Sequence, residues 1–131
     1  MQKLNCVLLV DDDQINNFIN ESMIRRMNLA DKVKITLNGE EALLYLAKHG
    51  SQFDSDFPEL IILDQHMPEM EGAEFLELFN QINANNDKKA KIVVLTASDN
   101  PDIKEKLQSL GVRDFLIKPL TEEKLKKVID E

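Results

Sequence analysis

The chain has 131 residues, 43% hydrophobic and 31% charged, with a formal net charge of -8 at pH 7. That length suits one domain, residues 1–131, around a sizeable core, and the charge argues against direct nucleic-acid binding, which needs a basic face. No apolar run is long enough to span a bilayer and no secretory leader is legible, while the single cysteine, Cys6, leaves no disulfide framework, so a cytoplasmic setting is expected.

Five short apolar runs alternate with five helical patterns. Cys6 to Val10 (CVLLV) reads as a buried strand and ends at three acids, Asp11, Asp12 and Asp13. The helix expected next has apolar positions at Ile15, Phe18, Ile19 and Met27, with Asp13 as its cap. Val33 to Leu37 alternates and reads as a half-exposed strand at a sheet edge. Gly39 opens a helix whose face is Ala42, Leu43, Leu46 and Ala47, followed by a long aperiodic loop from Gly50 to Pro58. Leu60 to Leu63 (LIIL) reads as a strand buried on both faces. It delivers Asp64 into a loop punctuated by Pro68 and Gly72. Phe75, Leu76, Phe79 and Ile82 then form a helical stripe that gives out in the polar stretch 83–89. Lys91 to Thr96 is another buried strand, and Ile103, Leu107 and Leu110 mark a helix stopped by Gly111. Asp114 to Ile117 is a last short strand before Lys118 and Pro119, and a helix beginning near Thr121 shows Leu125, Val128 and Ile129. Repeated strand-then-helix units imply a parallel, right-handed, helix-covered sheet.

A parallel sheet gathers the carboxyl ends of its strands on one edge, where open α/β folds hold their ligands. Those ends carry Asp11 and Asp12, Asp64, Thr96 and Lys118. Three clustered carboxylates repel one another, so at least one is expected to hold its proton more tightly than usual. One lysine cannot neutralise three acids. Hard oxygen donors without His or Cys suit Mg²⁺ or Mn²⁺. Cation, ammonium and hydroxyl around one carboxylate are the parts that phosphoryl transfer to that carboxylate requires.

On these residues the chain resembles the receiver domain of two-component response regulators, over essentially all 131 positions. The acidic pair is Asp11-Asp12, and LDQHMPEMEG matches the family's D-x-x-M-P-x-M-x-G at Asp64. Thr96-Ala97 and Lys118-Pro119 supply the remaining pieces. The resemblance implies a flavodoxin-like, five-stranded parallel sheet of order 2-1-3-4-5 with helices on both faces and a cis bond before Pro119. It also implies phosphorylation of Asp64 by a sensor histidine kinase or a histidine phosphotransfer protein, with Thr96 and Lys118 assisting. Asp12, Asp64 and the main-chain carbonyl of His66 would hold the metal, Asp11 partly through water. Thr96 and Phe115 would form the switch that signals to a protein target or output domain, so the chain is expected to be a signalling switch rather than an enzyme. Two other readings draw on the same residues. A haloacid-dehalogenase-like phosphatase would need an aspartate where His66 stands. A receiver-like scaffold that binds partners without phosphorylation would be expected to lack one of the site residues, and none is missing.

Overall fold

A run such as Leu60 to Leu63 turns alternate side chains to opposite faces of a sheet, so it is stable only where both faces are covered. The computed structural model, which describes residues 3–50, 56–67, 70–82, 90–97 and 100–129, meets that condition. Strands β1 (Leu4–Val10), β2 (Ala30–Thr36), β3 (Leu60–Asp64), β4 (Lys91–Thr96) and β5 (Asp114–Ile117) alternate with helices α1 (Gln14–Arg26), α2 (Gly39–Lys48), α3 (Gly72–Ile82), α4 (Pro101–Ser109) and α5 (Glu122–Ile129). The strands form one sheet of order β2-β1-β3-β4-β5, with every pairing parallel. Leu60 and Ile62 pack with Ile24 of α1 and Leu125 of α5 on one face. Ile61 and Leu63 pack with Leu46 of α2, Phe75 and Phe79 of α3 and Leu107 of α4 on the other. Among the described residues no helix is long and apolar enough to cross a membrane.

Local signals behave as their chemistry dictates. Asp13 caps α1, accepting from the N–H groups of Ile15 and Asn16. Asn38 does the same for α2 and Asn100 for α4, where Pro101 stands at the first helical position. Gly111 follows α4 at φ 102°, a conformation that a side chain would oppose. The bond between Lys118 and Pro119 is cis. The expected turn residue Pro68, the polar stretch 83–89 and most of the loop after Gly50 lie outside the described residues.

The expected inward face of α1 is corrected by the structure. Ile15, Phe18 and Ile19 are 71%, 68% and 55% exposed, whereas Asn17, Asn20, Met23 and Ile24 are buried. Periodicity identifies an apolar stripe but not which side of the helix packs. Here the packing side carries Met23 and Ile24, and the Asn17 side-chain amide beside them donates to the Asp11 carbonyl at 2.8 Å. Met27 does pack, partly buried, against the core. Two smaller differences follow from the same weakness of periodicity: Ala47 of α2 is exposed, and β2 runs from Ala30 rather than Val33 and ends before Leu37. Its place at a sheet edge is as expected.

The α1 assignment makes a stability prediction. Ile24→Ala should cost about 2–5 kcal/mol in denaturant unfolding, as for a fully buried aliphatic, while Phe18→Ser should stay within about 0.5 kcal/mol of wild type. The reverse ranking would mean that α1 packs through its other face.

Candidate functional site

Because the strands are parallel, their carboxyl ends share one edge, and the residues that follow them meet there. Asp11 and Asp12 come from β1 and Asp64 ends β3. One carboxylate oxygen from each of the three lies within 4.8 Å of the others. Asp11 and Asp64 are 4% and 3% exposed, while Asp12 is open to solvent. Lys118 is brought in from beyond β5 by its own N–H, which donates to the Thr96 carbonyl at 2.9 Å. Its ammonium stands 2.8 Å from Asp64 Oδ1. The His66 N–H donates to the same oxygen at 3.3 Å, so the carboxylate is held from two sides. Asp11 Oδ1 accepts from the Asp13 N–H at 2.9 Å.

Three carboxylates against one ammonium leave the cluster short of positive charge. Burial, first of all, pushes the Asp11 carboxyl up to about 6, and the neighbouring Asp64 charge adds to this, while the Asp13 N–H and Lys118 act the other way. The expected raised acid is therefore present, but desolvation outweighs like-charge repulsion as its cause. All donors in the cluster are hard carboxylate oxygens, a set that fits a divalent cation of the Mg²⁺ type.

The remaining predicted residues take distinct places. Thr96 is buried at the end of β4. Phe115 pairs with Val94 and is half-buried against the α2–α4 side of the core. The Lys104 ammonium lies 5.8 Å from its ring centroid. The His66 imidazole is outside the acid cluster, exposed, with Nδ1 3.5 Å from Glu71 Oε1.

Over the cluster lies an open cavity of about 1080 Å³, lined by Asp11, Asp12, Asp64 and Lys118 and, further out, by Asn16, Met67, Met70, Glu71, Ala73, Glu74 and Lys106. The loop leading from β3 to α3 is tied down at both ends. Gln65 N–H donates to the Leu95 carbonyl and Gly72 N–H to the Gln65 carbonyl. Met70 closes on Gly39 so tightly that a Cβ there would sit 2.5 Å from its sulfur. Met70 stands at the second methionine of the sequence motif, whereas sequence reasoning does not single out Asn17, Glu71, Glu74 or Lys106. For Asn17 a signal existed, a polar residue six positions after the first acid. The other three come together only through the packing of α3 beside α4.

Comparison with known proteins agrees with this geometry. A family model described as response regulator receiver domain matches residues 7–130. A probable methanogenesis regulatory protein, FilR2 of Methanothrix harundinacea, is 31% identical over 126 residues, covering 95% of this chain and 79% of its own. A probable C4-dicarboxylate response regulator, DctR of Priestia megaterium, is 30% identical over 125 residues, and the chain spans only 50% of its length. Among solved structures, a two component response regulator from Cytophaga hutchinsonii superposes with a TM-score of 0.84 at 30% identity, over 99% of this chain and 100% of that one. Chemotaxis protein CheY4 of Vibrio cholerae gives 0.78 at 27% identity, with 97% of each chain covered. The receiver domain of the Arabidopsis thaliana histidine kinase CKI1, a structure complexed with Mg²⁺, shares the fold at a TM-score of 0.86 and 24% identity, over 97% and 92%.

The Asp11 environment sets a pH dependence. Its folded value of about 6 lies above the ordinary 3.8, so the folded state binds this proton more tightly than the unfolded chain. The charged form therefore destabilises the metal-free fold above pH 6, and the penalty fades as pH falls through 6 and is gone below the unfolded value. Asp11→Asn keeps the acceptor for the Asp13 N–H. In EDTA it should unfold at higher denaturant than wild type at pH 7.5, by at most about 3 kcal/mol, with the difference vanishing near pH 4. A variant less stable than wild type at pH 7.5 would contradict this.

Proposed function

The chain belongs to the response regulator receiver family, and we propose that it is a phosphorelay switch whose Asp64 accepts a phosphoryl group from a phosphohistidine. The observation that carries this reading is the Lys118 ammonium 2.8 Å from the Asp64 carboxylate, at the edge where Asp11 and Asp12 also converge. Attack by a carboxylate on phosphorus brings anions together, so the residues around it must supply charge and alignment. Lys118 and the His66 N–H hold Asp64 Oδ1 and so fix the rotation of the carboxylate. Lys118 can pass from that oxygen to a phosphoryl oxygen with little movement. The Thr96 hydroxyl donates to a second one. Asp64 attacks in line, a new P–O bond forms, and the P–N bond breaks with its electron pair going to the imidazole nitrogen.

Mg²⁺, or Mn²⁺ with the same preference for hard oxygens, would be held by Asp12, Asp64 and the main-chain carbonyl of His66, with Asp11 acting partly through water. When bound, the ion supplies positive charge to the phosphoryl oxygens. Drawing the Thr96 hydroxyl toward the phosphoryl group frees volume that Phe115 can fill, and the two arrangements then differ in affinity for a target or output domain. None of the parts on which phosphorylation depends is absent, which disfavours a phosphorylation-independent scaffold.

A sensor histidine kinase or histidine phosphotransfer protein is the donor, and this partner sets the reaction in the cytoplasm. The outward stripe Ile15, Phe18 and Ile19 is supported as its docking face by continuity with the site, because Asp13 and Asn16 on either side of Ile15 line the cavity itself. A large exposed apolar patch beside a reactive group is a contact surface more readily than a solvated one.

Incubation with acetyl phosphate and Mg²⁺ should add the mass of one phosphoryl group, lost in Asp64→Asn and in excess EDTA. Phe18→Ser should slow labelling from a phosphorylated histidine phosphotransfer domain about tenfold, as for a contact hot spot, and leave labelling by acetyl phosphate unchanged. Persistent labelling of Asp64→Asn would overturn the assignment.

A further inference from the structure

The cavity over the acid cluster, at about 1080 Å³, has room for far more than a phosphoryl group and so receives part of whatever the phosphoryl group departs from. In-line attack expels that leaving group on the side away from Asp64, toward the outer wall. On the α3 side this wall carries Met70 and Ala73 beside two carboxylates, Glu71 and Glu74, both exposed. Lys106 of α4 is the only lysine or arginine besides Lys118 among the described lining residues, and one ammonium does not offset both carboxylates.

We propose that this wall selects the leaving group, favouring an imidazole phosphoramidate over an acyl phosphate, with Glu71 and Glu74 as specificity-determining residues. The inference rests on Asp64 being the phosphoacceptor. With phosphoimidazole, the Asp64 oxygen forms the P–O bond while the P–N bond breaks and its pair stays on the ring nitrogen. The ring, already protonated on its other nitrogen, departs as neutral imidazole. With acetyl phosphate the same attack breaks the P–O bond to the acyl group, and the pair leaves on acetate as a full negative charge. The phosphoryl group is common to both reactions, so only the fate of the leaving group discriminates between them. Charge developing on acetate is driven toward Glu71 and Glu74, whereas a neutral, half-apolar ring can lie along Met70 and Ala73 with no charge to be repelled.

The test is the rate of Asp64 labelling, with Mg²⁺, from phosphoimidazole and from acetyl phosphate in wild type and in the double variant Glu71→Gln, Glu74→Gln. Both substitutions are isosteric and exposed, and Glu71→Gln keeps an oxygen to face the His66 Nδ1 that lies 3.5 Å from Glu71 Oε1. The acetyl phosphate rate should rise about threefold to tenfold, the scale of removing two nearby charges in a wet site. The phosphoimidazole rate should change by less than about twofold, and added salt should narrow the gap between wild type and variant for acetyl phosphate alone. Equal changes with both donors, or none with either, would overturn the proposal. If neither donor labels wild type at Asp64, the phosphoacceptor reading falls and this inference falls with it.

Discussion

Three carboxylates converging on one lysine at a sheet edge are the constraint around which this protein is arranged. Asp11, Asp12 and Asp64 share a space less than 5 Å across by their nearest oxygens, and a buried acid as far from its ordinary value as Asp11 records the energetic cost. Such a cluster is not what stability alone would choose, because unbalanced charge in a partly desolvated site opposes folding. Its persistence is understandable if the negative charge is the working part, attracting a divalent cation and, through it, a phosphoryl group. The neighbouring features serve the same end. Lys118 limits the imbalance, the His66 and Asp13 N–H groups orient two of the acids, and the loop after β3 is pinned at Gln65, Met70 and Gly72.

The rest of the fold keeps these groups in place. A sheet covered on both faces has no freedom to slip in register, because a one-residue shift would move every aliphatic of β3 to the wrong side. Asp64 thus inherits its position from Leu60 to Leu63, and Asp11 from the buried run before it. The helices contribute unequally to function. α5 mainly closes the core, through Leu125 and Val128. α1 both packs through Ile24 and turns a large apolar stripe to solvent beside the site, and α3 supplies the acidic outer wall of the cavity.

Much of this was legible in the sequence because strand ends in a parallel sheet are determined by topology. Once the strands are identified, Asp11, Asp12, Asp64, Thr96 and Lys118 must fall on one edge, whatever the details of the loops between them. The face of α1 was not legible for a physical reason. Its largest apolar residues, Ile15, Phe18 and Ile19, form the more obvious stripe, and the side that packs contains two asparagines. The packing side also carries Met23 and Ile24, and there the Asn17 amide finds the Asp11 carbonyl, a contact that no periodicity reports. The outer cavity wall was hidden for another reason. Glu71, Glu74 and Lys106 are ordinary surface charges in the sequence, and only the placement of α3 beside α4 turns them toward a shared space. The raised Asp11 was anticipated as a member of the cluster, but its burial, which contributes most, is a property of three dimensions.

The most direct measurement is the dependence of denaturant unfolding on Mg²⁺ concentration at pH 7.5, in wild type and in Asp12→Asn. A cation that binds only the converged carboxylates should raise the unfolding midpoint of wild type progressively with concentration, by mass action, and leave Asp12→Asn almost unmoved. Equal responses of the two proteins, or no response of wild type at millimolar Mg²⁺, would contradict the account, because the charge at this edge would then be balanced without a metal.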